Sequence, residues 1–92
     1  MNRISWTRRS LGDLESIYNY IAQDDPKIAR GIITDIKKIT DNLAYHPFMG
    51  KPGRREGTRE LVVVKTPFIV IYRVQNESVE IIRILHGAQK YS

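Results

Sequence analysis

The chain contains no cysteine. Disulfides, thiolate zinc sites and cysteine nucleophiles are excluded together, and a reducing cytoplasm is the expected location. No apolar run approaches the roughly 18 residues a membrane span needs, so no membrane partner is expected. The opening Met1-Asn2-Arg3-Ile4-Ser5-Trp6 has no apolar signal core, and secretion is not expected either. Internal repeats and low-complexity tracts are missing. The loop at 47–57 (PFMGKPGRREG) holds three glycines but lacks the Gly-Lys-Ser/Thr ending and the preceding strand of a phosphate cradle. There is no Ser/His/Asp order and no His/Asp/Glu grouping at metal spacing, so neither a metal nor a cofactor is expected.

What remains is a short basic chain of 92 residues, 41% apolar and 27% charged, which reads as one globular domain over 1–92. Its net charge of +5 is uneven. Residues 1–50 hold seven basic and six acidic groups, whereas residues 51–92 hold eight and four. A basic second half suits an anionic partner, either nucleic acid or an acidic protein; a soluble basic protein with no such partner is the plainer alternative.

Residues 3–6 are β-branched and aromatic and read as a first strand. Thr7 can cap a helix over 8–23, whose apolar residues Leu11, Leu14, Ile17, Tyr18 and Ile21 recur at helical spacing. Asp24-Asp25-Pro26 breaks the chain and restarts it, with Asp25 as cap and Pro26 in the first turn. The stripe Ile28, Ala29, Ile32, Ile33, Ile36, Ile39 and Leu43 then predicts a helix over 26–45, ended by His46-Pro47. Three strands follow at 58–65, 68–74 and 78–86, joined by short turns. The expected fold is therefore α+β: βααβββ, a helical hairpin packed on one face of a small antiparallel sheet.

Strict alternation divides that sheet into two faces. One carries Leu61, Val63, Phe68, Val70, Tyr72, Val74, Val79, Ile81 and Leu85 and should take the helices, with Arg59, Lys65 and Arg83 snorkelling at its margins. The other carries Val62, Val64, Ile69, Ile71, Ile82 and Ile84 beside a row of Glu60, Arg73 and Glu80, followed by His86. Left open, such an aliphatic face is a contact surface. Covered by a loop or the tail, it is ordinary core.

Chemistry is confined to the C-terminal stretch. Arg83, His86, Lys90 and Tyr91 could supply the base, acid and cations that RNA cleavage requires. The same residues could equally be a packed histidine and a loose basic tail.

Several segments together resemble the ParE branch of the RelE/ParE toxin superfamily. They are Trp6-Thr7, Asp13-Leu14, Ile17 to Ala22, Leu43 with His46-Pro47 and Gly50, Gly57 to Leu61, Pro67 to Val74, and Val79 to His86. The resemblance spans nearly the whole chain in order. It implies a growth-inhibiting type II toxin, neutralised by a cognate acidic antitoxin and acting in one of two ways. The ParE-like branch binds and poisons DNA gyrase without being an enzyme; the RelE-like branch cuts mRNA on the ribosome. In the RelE-like branch an aromatic-Arg-aliphatic-aliphatic-Tyr pattern lines up with Phe68 to Tyr72, so its arginine falls at Ile69. Its two strand lysines fall at Glu60 and Val62, and its C-terminal arginine at or near Gln89. An isoleucine cannot hold a phosphate, and a glutamate repels one. The resemblance thus implies a gyrase poison, with an mRNA endoribonuclease using His86, Lys90 and Tyr91 as the alternative. Antitoxin binding is expected at Ile69, Ile71, Arg73, Ile82 and Ile84. Target contact is expected at Arg83, His86, Lys90 and Tyr91.

Overall fold

A computed structural model describes residues 1–87 of the chain. Strand β1 (Arg3–Trp6) leads into helix α1 (Arg8–Ala22), followed by helix α2 (Pro26–Asn42). Strands β2 (Lys51–Pro52), β3 (Arg59–Val62), β4 (Phe68–Gln75) and β5 (Ser78–His86) complete one five-stranded sheet in the order β1-β5-β4-β3-β2. The hairpin of α1 and α2 covers one face, as the apolar spacing predicted. The sheet is mixed: β1 joins the edge of β5 in parallel, with Ile4 opposite Val79 and Trp6 opposite Ile81. The antiparallel remainder gains an unpredicted edge strand, β2, paired to β3. Pro52 is tolerated there because an edge strand needs only one row of hydrogen bonds.

Both helix starts follow from their caps. The Thr7 hydroxyl accepts the Ser10 N–H at 3.0 Å, and the Asp25 carboxylate accepts those of Lys27 and Ile28 at 3.0 and 3.1 Å. α2 stops short of residue 45. Its last turn tightens instead into the N–H bonds of Ala44 to Asp41 and Tyr45 to Asn42.

The core unites Leu14, Ile36 and Leu43 of the hairpin segment with Val63, Phe68, Val70, Tyr72, Val79 and Ile81 of the sheet segment. The predicted helix-covered face is therefore right through these positions. β3 is shorter than expected and its register differs by two: Leu61, not Val63, pairs with Val70. A shift of two leaves every side chain on its own face, so the assignment survives. Lys65 takes a positive φ of 65° within the longer β3–β4 connection.

In β5 the shift is by one, and it matters. A bulge interrupts the pairing between Tyr72↔Ile81 and Ile71↔Arg83, leaving Ile82 as the extra residue. Beyond it Ile84 pairs with Val70 and His86 with Phe68, both on the helix-covered face, while Leu85 crosses to the other side. Thr7 holds the bulged segment in place: its N–H donates to the Ile81 carbonyl at 3.1 Å and its hydroxyl to the Ile82 carbonyl at 3.0 Å. Among the described residues no helix is long and apolar enough to cross a membrane.

Candidate functional site

The bulge builds a groove of about 440 Å³ where the hairpin meets the beginning of β4 and the end of β5. Ile17, Ile21 and Ile32 line it from the helices; Phe68 and Ile84 line it from the sheet. Asp13, Ser16, Tyr20, Arg83 and His86 form its polar rim. Tyr20 is 76% exposed at that rim, so the groove opens to solvent through an aromatic lip.

Asp13 organises the rim, and sequence reasoning missed it as a site residue. Its Oδ2 accepts the Arg83 Nε–H at 2.8 Å and the Ile84 N–H at 2.9 Å, while Oδ1 accepts Arg83 Nη2–H at 3.1 Å. This two-pronged pairing fixes the planar guanidinium and ties α1 to the bulged strand. The available signal was a carboxylate one residue before the buried Leu14, on a helix whose exposed face offers ample water. Arg83 therefore does not snorkel outward; its side chain is three-quarters buried against the helix. His86 is exposed and meets the Phe68 ring edge-on, with centroids 5.7 Å apart. The structure thus brings Arg83 and His86 to one rim. Lys90 and Tyr91, the other two residues expected to contact a target, lie outside the described residues, as does Gln89.

The expected antitoxin surface is divided. Ile84 is 2% exposed and belongs to the helix-covered face, because the bulge reverses alternation after Ile82. Ile71 stays on the helix-free face but is only 1% exposed, since it sits in the central strand between Glu60 and Arg83 at paired positions. Neither forms part of an open aliphatic patch. Ile69 and Ile82 are half-buried. Arg73 makes the expected ion pair with Glu80, 2.7 Å from Nη2 to Oε1.

Glu60 does not complete that row. It is 5% exposed and turns to Arg54, accepting its backbone N–H at 2.9 Å with the guanidinium 3.5 Å away. A hollow of about 270 Å³ forms there, bounded by Lys51, Arg54, Glu60, Val62 and Ile69 among others. The three positions that the nuclease branch would fill with cations are thus gathered in one place and hold a carboxylate and two aliphatics.

A further constellation sits past the end of α2. The buried Tyr72 hydroxyl accepts the Gly50 N–H at 2.8 Å and donates to the Pro47 carbonyl at 2.8 Å. Burial pushes this hydroxyl above the usual tyrosine range, against the smaller opposing effects of the Gly50 N–H and the Arg59 charge. Gly50 is required: a Cβ there would lie 2.7 Å from the Tyr72 hydroxyl and 2.8 Å from the Glu60 carbonyl.

Residues 4–91 match the family described as ParE toxin of type II toxin–antitoxin system, parDE. Y4kP, a candidate toxin of Sinorhizobium fredii, is 42% identical over 97% of this chain and 92% of its own length. Toxin RelE2 of Caulobacter vibrioides is 38% identical over 97% and 99%. Among solved structures, a chain of the chromosomal ParDE toxin–antitoxin system of P. aeruginosa superposes with a TM-score of 0.83 at 29% identity, covering 94% of this chain and 96% of that one.

Proposed function

Because the chain belongs to the ParE toxin family of type II toxin–antitoxin systems, we propose that it is held inactive by a cognate acidic antitoxin and, when released, binds and poisons DNA gyrase. The observation that carries the gyrase reading is the hollow beside β3. Phosphoryl-transfer catalysis depends on cations placed where negative charge develops. At the positions where resemblance to the nuclease branch would put those cations, this chain holds Glu60, Val62 and Ile69. The guanidinium of Arg83, the nearest described cation to His86 in sequence, is already paired with Asp13.

The antitoxin's place in this reading is the groove. An apolar concavity with aromatic and aliphatic walls suits the apolar stripe of an amphipathic helix, and acidic flanks on that helix would be drawn by the chain's positive charge. Of the residues first expected to meet the antitoxin, Ile84 lines this groove. Ile69, Ile82 and Arg73 would be met only by a segment that continues onto the helix-free face.

The test is induction of the chain in cells without antitoxin, followed by observation of the first process to fail. A DNA-damage response with filamentation, and stalled gyrase on cleaved plasmid in a purified assay, is the expected result. Immediate translation arrest with cut mRNA would replace this reading with the endoribonuclease that uses His86, Lys90 and Tyr91.

A further inference from the structure

The segment between α2 and β2 presents a second surface, with a construction unlike that of the groove. Its backbone is pinned from several sides. The Ala44 carbonyl accepts the Asn2 N–H at 2.8 Å, and the Tyr72 hydroxyl bridges Pro47 and Gly50. Arg59 Nη1 donates to the Gly50 carbonyl at 2.7 Å and approaches the Phe48 carbonyl at 3.4 Å. Yet the large side chains carried by this rigid backbone lie in water: Tyr45 is 67% exposed, Phe48 65% and Met49 45%. The Arg59 guanidinium sits 4.9 Å from the centre of the Phe48 ring and holds it in position.

Tyrosine, phenylalanine, methionine and arginine are the residue types enriched at protein contacts, and side chains already ordered lose little freedom when a partner arrives. The neighbouring edge of the sheet is basic, with Lys51, Arg54, Arg55 and Arg59 against Glu56 and Glu60. A second copy of this chain would bring the same positive edge, so self-association is opposed. An acidic protein surface is favoured. The patch is also remote from the groove: Ile32 lines the groove, and the ten further residues to the end of α2 at Asn42 span about 15 Å.

We infer that the Tyr45–Phe48–Met49 patch is the surface by which the toxin engages its protein target, through an acidic surface with a recess for Phe48. This rests on the gyrase reading above. It moves the target contact from the end of β5 to the opposite end of the helical hairpin. An antitoxin seated in the groove, about 15 Å away, then neutralises by obstructing the approach of a much larger protein.

The experiment compares the wild-type chain with the double variant Tyr45→Ala/Phe48→Ala in supercoiling of relaxed plasmid by purified gyrase. Each protein is also tested for binding to the cognate antitoxin. Expected is an increase of at least tenfold in the concentration needed for half-inhibition, with antitoxin affinity within twofold of wild type. The single variant Lys51→Glu should slow association with gyrase several-fold and flatten its salt dependence. Unchanged inhibition by the double variant overturns the surface assignment and leaves the gyrase reading intact. Loss of both gyrase inhibition and antitoxin binding also overturns it, because the two surfaces would then not be separate. A wild-type chain that leaves supercoiling untouched overturns the gyrase reading and this assignment with it.

Discussion

Where the hairpin meets the ends of β4 and β5, apolar side chains line a concavity, and at its rim Asp13 and Arg83 are paired with each other. Past the end of α2 the arrangement is inverted. There the backbone polar groups are paired inward, to Tyr72, Arg59 and Asn2, and the apolar side chains face water. Both arrangements are costly to build by chance. A concavity forfeits packing contacts, and exposed aromatics forfeit the stabilisation of burial, about 25 cal/mol per Å². In each place a few strong polar contacts hold the shape: the Asp13–Arg83 fork at the groove and the Tyr72 hydroxyl bridge at the loop. In so small a chain the shape of these two regions is thus supported by hydrogen bonds rather than by depth of core.

Cutting those supports separates the two regions. The largest effect is expected for Asp13→Ala, which strands a largely buried guanidinium and the Ile84 N–H; the loss should be about 3 kcal/mol. Thermal melting would register it as a fall of more than about 10 °C for a domain of this size. Chemical shifts at Tyr45 to Met49 should move little. Next comes Gly50→Ala, where the added methyl meets the Tyr72 hydroxyl and the Glu60 carbonyl, at a cost of about 2 kcal/mol. Here the shifts should concentrate in the loop and spare the groove.

Tyr72→Phe leaves the Gly50 N–H and the Pro47 carbonyl without their partner and should cost about 1.5 kcal/mol in denaturant titration. Its pH dependence is distinctive. The folded hydroxyl ionises above the unfolded one, so its contribution is complete below about pH 10 and disappears as the pH rises through the raised folded value. Wild type should therefore lose more stability than Tyr72→Phe on going from about pH 9 to about pH 11. The smallest effect, about 0.5 kcal/mol or less, is expected for Arg73→Ala. Its ion pair with Glu80 lies on an accessible surface with both side chains about two-fifths exposed. A loss above 2 kcal/mol there would show that the helix-free face is a structural element in its own right.

Element order was legible in the chain because capping and periodicity are local. Thr7, Asp25 and Pro26 announce their helices, and the isoleucine stripe of α2 turns to the core from Ile32 onward, although Ile28 at its start is 55% exposed. The β4–β5 turn was legible for the same reason, and its first pairs are the expected ones, Val74 with Val79 and Tyr72 with Ile81. The bulge was not, since it is imposed by Thr7 from 75 residues away. It had left a trace: strict alternation put the aliphatic Ile84 on the open face, whereas a shift of one buries it. The groove followed from the bulge and was missed with it. The loop patch was missed for a different reason. Tyr45 ends the predicted helix and Phe48 falls in the 47–57 loop, and only the three-dimensional path of β4 places the Tyr72 hydroxyl beneath them.

The parallel pairing of β1 with β5 has a consequence for how the protein comes into being. Arg3 to Trp6 are made well before their partners, Ser78 to Ile81, so this edge of the sheet cannot close until β5 has been synthesised. Thr7 likewise waits for the carbonyls of Ile81 and Ile82. Contacts of such long sequence separation are slow to form, because the intervening chain must be ordered before they repay the loss of freedom. The bulged strand that shapes the groove is therefore among the last parts to be completed. A truncated product lacking β5 has no groove at all.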